Sequence, residues 1–316
     1  MNVKSRHLFA AIFCVAAIAL SVLIYRNARA ADDARIYNIS VIVRAPGDRF
    51  MKGIEQAAID FNVDLHFFSG YQKGDSAQQI EYLRRELDSD VDAVVIYAEN
   101  APALADFLGS QRNLPPIVTS GVRLGTEKTS AHVGADWRAI GRKLGKLICE
   151  DNGYSDDAEL VILCPEDIDA ALSERLSGLT DMLMQEGMPY LVRYCGESSG
   201  GAAGLFPPGG INSYGGHAAA AALDESLLVQ MCECAPQDCR LYGIGFTNAS
   251  RAYLENGRLS ALVVYSEYSS GYMYLRAAVM AADKRPPKVD PELALYSASA
   301  ESMYEEPLVN VLFPIR

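Results

Sequence analysis

The first residues with the spacing of a catalytic group are Gly196-Glu197-Ser198-Ser199-Gly200, which fit G-x-S-x-G and follow an apolar run. In a serine hydrolase that turn exposes a nucleophilic hydroxyl, and a helix, an acid and a histidine must follow. Here the next residues are rich in glycine and proline, so no helix starts cleanly behind Ser198. His217 is the one histidine downstream, and no Asp or Glu stands between Ser199 and His217. No G-x-G-x-x-G opens a helix after the first strand, and no G-x-x-x-x-G-K-[ST] phosphate loop occurs. The chain therefore reads as a non-enzyme without a cofactor. His66 and His132 fall on predicted strands and read as structural. A second group, Cys232-Glu-Cys234-Ala-Pro-Gln-Asp-Cys239, has neither the paired C-x2-C spacings nor the four ligands that zinc prefers. It reads as a local disulfide to Cys239 or as free thiols, and no metal site is expected. Cys149 and Cys164 read as core filler.

The elements that would hold such residues alternate regularly. Short apolar runs at 37–43, 63–68, 91–97 and 116–119 read as strands, with helical spacing over 50–62, 75–88 and 101–111 between them. A second series follows: strand 131–135, helix 137–150, strand 159–164, helix 169–186, strand 190–195, helix 217–231, strand 240–245, helix 248–256, strand 259–265 and helix 271–282. Two closing strands are expected at 293–297 and 309–314. The strands are apolar on both faces, as in a parallel sheet covered by helices. Two such βαβ series predict an α/β chain of two doubly wound parallel-sheet lobes. Right-handed crossovers place the loops after the strands along one edge, where ligands bind. Segment 196–216 has no helical or strand period and reads as a shortened or loop-converted βα unit.

Residues 1–31 stand apart. Lys4 and Arg6 precede an apolar run over 8–25, and Ala28-x-Ala30 closes it. That order is a secretory signal, and the run is also long enough for a hydrophobic helix that anchors the chain in a membrane. Either way the chain is exported, to the periplasm or the outer face of the cytoplasmic membrane. Removing the four basic residues of that segment takes the net charge from −12 to −16. Such acidity excludes nucleic acid and anionic lipid surfaces as partners, because both need positive charge.

The stretches ISVIVRAPGDRFMKGIEQAAIDFNVDLHFF, QQIEYLRRELDSDVDAVVIYAEN, AHVGADWRAIGRKLGKLI, SERLSGLTDMLMQEG and LYGIGFTNASRAYLENGRLSALVV, in this order, resemble the type I periplasmic binding proteins for sugars. Lactose-repressor-like regulators share that fold, but a hydrophobic leader stands here in place of a helix-turn-helix. The resemblance covers about 36–282. It implies two lobes joined by a three-strand hinge, with crossings near 133–136, 265–266 and 283–294. The lobes would comprise 36–134 plus 266–290 and 135–265 plus 291–316. It further implies capture of a small polar solute, a sugar or sugar-like molecule, in the interlobe cleft. The partner is then an ABC permease or, in a tethered form, a membrane sensor protein.

Carried over by position, the resemblance assigns ligand contacts to the loop from Arg44 through Asp48 to Phe50, and to Asp136, Arg175, Asn212, Phe246 and Thr247. Phe50 would stack on a sugar ring, and Arg175 and Asn212 would donate to ligand oxygens. Phe50 also suits a core position at a helix start, and Asp136 suits the cap of the helix beginning at Trp137. Two acidic contacts of the family pattern are missing: Ser120-Gly121-Val122 stands where an Asp-Arg pair is usual, and Thr247 stands where an acid is usual. Arg44, Glu99 and Arg123 bring charge instead, which suits a charged or derivatised ligand.

Overall fold

A computed structural model describes residues 17–22, 35–72, 74–151, 160–196, 204, 219–288 and 290–313. The expected leader lies outside these residues except for a helical turn at 17–22, and so do Ser198, Ser199, His217 and Asn212. Among the described residues no helix is long and apolar enough to cross a membrane.

Elements alternate from the start: β1 (Tyr37–Ile42), α1 (Asp48–Phe61), β2 (Val63–Phe68), α2 (Ser76–Leu87), β3 (Ala93–Tyr97), α3 (Ala101–Ser110), β4 (Ile117–Ser120) and β5 (Ala131–His132). These five strands form one parallel sheet in the order β2-β1-β3-β4-β5. There follow α4 (Trp137–Cys149), β6 (Leu160–Pro165), α5 (Ala170–Gln185), β7 (Tyr190–Cys195), β8 (Ala219–Ala222), α6 (Glu225–Cys234), β9 (Arg240–Ile244), α7 (Asn248–Glu255) and β10 (Ala261–Tyr265). Helix α8 (Glu267–Ala282), β11 (Leu295–Ala298) and α9 (Leu308–Leu312) end the chain. The second sheet runs β11-β10-β9-β8-β6-β7, parallel except for β11. Both sheets are α/β in the doubly wound sense, as the alternation predicted.

Successive strand residues feed opposite cores. Ile39 and Val41 of β1 pack with Ile54 of α1 and Leu275 of α8, while Ile42 packs with Leu83 of α2 and Leu104 of α3. In the second sheet Ile162 joins Ile140 and Leu179 on one face, and Val161 joins Leu228 and Met231 on the other. Helix α8 follows a strand of the second sheet yet packs on the first. The chain passes between the sheets at 133–136, between β10 and α8, and between α8 and β11; an isolated parallel bridge joins Gly134 to Glu292 there.

Three sequence expectations fail. The helix expected at 217–231 is instead β8 followed by α6. Alanine is the best helix former, yet Ala219–Ala222 form a fully buried strand between β6 and β9. A central strand pressed by helices on both faces accepts small apolar residues, and that packing overrides propensity. The expected closing strand at 309–314 is the short helix α9, whose Leu308 and Leu312 pack into the second lobe's core. Helix α8 starts at Glu267 rather than at 271, because the Ser266 hydroxyl accepts from the Ser269 amide and caps it. The described cysteines Cys149, Cys164, Cys195, Cys232, Cys234 and Cys239 are free thiols, which decides between the two readings of the 232–239 cluster.

Both strand histidines serve structure. His66 Nδ1 lies 3.1 Å from buried Glu86, which also accepts from the Ser40 hydroxyl. His132 sits on β5 at the first crossing, its amide donating to Asp290 at 2.8 Å and its Nδ1 3.1 Å from Thr119. Burial, and then the charge of Arg123, push its pKa down to about 4, with Asp290 opposing. The folded protein thus holds a neutral ring while the unfolded chain takes up a proton near pH 6.5. The resulting stability is intact above about pH 6.5 and is lost as the pH falls towards 4, up to about 3 kcal/mol. Urea midpoints of wild type and His132→Asn at pH 7 and pH 4.5 check this. The variant should lose clearly less than wild type; equal losses would refute the assignment.

Candidate functional site

The site lies where the carboxyl edges of the two sheets face each other. Strand order reverses between β1 and β3 in the first sheet and between β6 and β8 in the second, and such switch points leave a crevice at the strand ends. Two adjoining recesses occupy it, of about 200 Å³ and 240 Å³. They share Tyr265, the last residue of β10, and Glu267, the first of α8. A larger concavity of about 1110 Å³ lies at the opposite edge of the second sheet, among Glu233, Arg240, Arg258 and Glu301. It is an open polar trough away from the switch points, so the interlobe recesses are the better binding site.

The first recess is walled by rings. Phe50, Tyr97, Trp137, Tyr265 and Tyr274 line it together with Arg44, Glu99, Glu267 and Ser270. Phe50 meets Tyr274 edge-on at 5.4 Å between centroids, and Trp137 meets Tyr265 at 6.1 Å. Arg44 Nε donates to Glu99 at 3.0 Å, and that carboxylate is only 7% exposed. The Glu99 amide is held in turn by buried Gln79, at 3.2 Å. Burial pushes the Tyr97 phenol up to about 12 and raises Tyr265 and Tyr274 as well, so these rings present neutral hydroxyls.

The second recess is charged. Arg175 of α5 lays its guanidinium 4.5 Å from the Trp137 ring centroid and donates to the Leu223 carbonyl at 3.0 Å. Among the described residues its Nε is buried without a partner. Arg49 of α1 reaches across to the loop after β9, donating to the Phe246 carbonyl at 2.8 Å with its guanidinium 4.9 Å from the Phe246 ring centroid. The Phe246 amide donates to Glu225 at 3.0 Å. Burial, and then the charge of Glu267, hold the Glu225 carboxyl above its ordinary value, with the Phe246 amide opposing. Burial raises Glu267 too, against Arg49.

The expected contact residues divide sharply. Arg44, Phe50, Arg175 and Phe246 line the recesses. Asp48 is an exposed residue in the first turn of α1. Asp136 accepts from the Ala139 amide at 2.9 Å as the cap of α4 and borders only a side recess near the hinge. Thr247 caps α7, exchanging hydrogen bonds with Ser250. Asn212 lies outside the described residues. Arg123 is tied to Asp290 in the hinge recess rather than turned into the cleft.

Sequence reasoning missed Tyr97, Trp137, Glu225, Tyr265, Glu267 and Tyr274, which line the recesses. Five of them follow one rule: Tyr97 and Tyr265 end strands, while Trp137, Glu225 and Glu267 open the helices that come next. The departure at Ser120-Gly121-Val122 also has a physical reason. Gly121 adopts φ +82, a side chain there would strike the Tyr97 ring, and its carbonyl accepts from the Trp137 indole at 2.9 Å. Trp137 thus occupies space beside the loop from which the family's Asp-Arg pair would work.

No curated protein matches the chain in sequence. Solved structures resemble it closely in fold. A carbohydrate transporter solute-binding protein from Agrobacterium radiobacter, in complex with D-arabinose, is 14% identical, with a TM-score of 0.71 over 87% of this chain and 98% of that one. An ABC transporter solute-binding protein from Agrobacterium vitis with bound D-fucose is 15% identical, with a TM-score of 0.71 over 87% and 100%. A substrate-binding protein of a sugar ABC transport system from Bordetella parapertussis is 16% identical, with a TM-score of 0.72 over 89% and 94%. At such identities the likeness is one of fold. The sequence itself goes further: the family described as periplasmic binding protein domain matches residues 39–286, and the chain belongs to that family.

Proposed function

We propose that this protein captures a small polar solute, a sugar or sugar-like molecule, between its lobes and delivers it to an ABC importer without altering it. The observation that carries the reading is the pair of interlobe recesses, where a wall of rings adjoins guanidinium and carboxylate groups contributed from both sheets. Apolar ring faces suit aromatic walls, and hydroxyls suit fork-shaped charged side chains. The sugars bound by fold relatives agree with it. The lobes are 36–134 plus 266–290 and 135–265 plus 291–316. Residues 1–31 direct the chain across the cytoplasmic membrane, so that the cleft faces the periplasm. Arg44, Phe50, Arg175 and Phe246 contact the ligand, with Asp48, Asp136, Asn212 and Thr247 as peripheral contacts on closure.

Trp137 is the only tryptophan in the chain and lies in the recess wall, so fluorescence excited selectively at tryptophan reports on this site. Titration with the right sugar should change that fluorescence saturably and raise the melting temperature. Ligand at 100 times its Kd stabilises by about 2.7 kcal/mol. If no sugar, polyol or sugar acid at millimolar concentration moves either signal, the reading is wrong.

A further inference from the structure

Glu267 is the one carboxylate that lines both recesses. It opens α8, is largely buried, and has no hydrogen bond or ion pair among the described residues. Each neighbouring cation already holds another partner, although the Arg175 Nε is left over. Arg44 is paired with Glu99, Arg49 with the Phe246 carbonyl and ring, and Arg175 with the Leu223 carbonyl and the face of Trp137. The nearby Glu225 carboxylate is held by the Phe246 amide and adds negative charge rather than relieving it.

Arg49 acts on Glu267 only through its charge, with no hydrogen bond or ion pair between them among the described residues. A buried carboxylate compensated only at a distance is costly, and a neutral hydroxyl donor offsets only part of that cost. A cationic donor offsets far more. The ring wall favours the same partner, because aromatic faces are negative and attract cations. We propose that the cleft selects a sugar-like ring bearing a protonated amine, with the ammonium seated between Glu267 and the ring wall. This rests on the solute-capture reading and names its ligand class.

The test is calorimetric titration with D-glucosamine and D-galactosamine against D-glucose and D-galactose, at a pH below the pKa of the amines. Wild type should bind an amino sugar about tenfold or more tighter than its parent, the difference expected of a charge-assisted hydrogen bond. Glu267→Gln should cost the amino sugars about tenfold more affinity than their neutral parents, and the melting point of the variant without sugar monitors its folding. The wild-type ratio is decisive even if the variant does not fold. Parent sugars that bind as tightly as the amino sugars, or equal losses for both series in Glu267→Gln, would overturn the amine proposal alone. Binding by neither series would overturn the amine proposal, while the solute reading is judged by the wider screen of sugars, polyols and sugar acids.

Discussion

Gly141→Ala and Gly178→Ala should each destabilise the protein by about 3 kcal/mol and weaken ligand binding, although neither glycine touches the cleft. Helices α4 and α5 cross through these two residues. A methyl group on Gly141 would overlap the Arg175 carbonyl oxygen, and one on Gly178 would overlap the carbonyl of Arg138. The first lobe repeats the device: a methyl on Gly53 of α1 would strike the Tyr268 carbonyl, and one on Gly271 of α8 would strike the Phe50 carbonyl. Each obstacle is backbone inside a helix, which cannot rotate away as a side chain does. The helices must separate, and the cores they cover must open with them. The obstructed residues include Arg175 and Phe50, so separation also shifts groups that line the recesses. Urea unfolding checks the stability, and the Trp137 fluorescence titration checks the binding. Gly109→Ala is the control: nothing lies within 4 Å of a methyl group there, so it should be neutral or stabilise by up to about 1 kcal/mol. A wild-type midpoint for Gly141→Ala would show that the crossing is looser than described.

The second large effect concerns Arg175. Its replacement by alanine should weaken ligand binding about 100-fold, close to 3 kcal/mol, with a smaller change in the stability of the empty protein. The guanidinium is fixed by the Trp137 face on one side and the Leu223 carbonyl on the other, and it lines the charged recess. A donor held in place before the ligand arrives loses little freedom on binding. Among the described residues its Nε is buried and unpartnered, and a hydrogen bond from a charged donor contributes about 1.5–3 kcal/mol. Arg175→Lys should recover only part of the affinity, because an ammonium cannot reproduce the planar fork or its stacking on Trp137. Affinity within threefold of wild type for Arg175→Ala would remove this residue from the site while leaving the fold untouched.

Much of this could be read from the residues in order. The strands of both lobes are legible because residues such as Val94 and Val95 fall on opposite faces and are both buried, which demands apolar runs. Helix starts are legible because Asp75, Asn100, Asp136 and Asp169 each cap a helix through their own side chain. Arg175 and Phe50 were reachable by position in a family pattern. Ala219–Ala222 was not, because four alanines carry no signal of the helices that would press on them from both sides. Asp136 and Thr247 are ambiguous for a related reason: a polar residue before a helix serves a cap and a ligand equally well in sequence. Their caps engage them here.

The sequence by itself therefore determined the two α/β lobes and the edge of each sheet that would hold a ligand. These follow from periodicity and from local hydrogen bonding, whose partners lie a few residues apart. Tertiary structure decided the character of the site. Tyr97, Trp137, Tyr265 and Tyr274 become one wall, and Glu225 and Glu267 become neighbours, only when strand ends far apart in the chain converge on the crevice. Which charges remain unpaired there depends on where Arg44, Arg49 and Arg175 find partners, and those partners are set by packing between helices and sheets rather than by spacing along the chain.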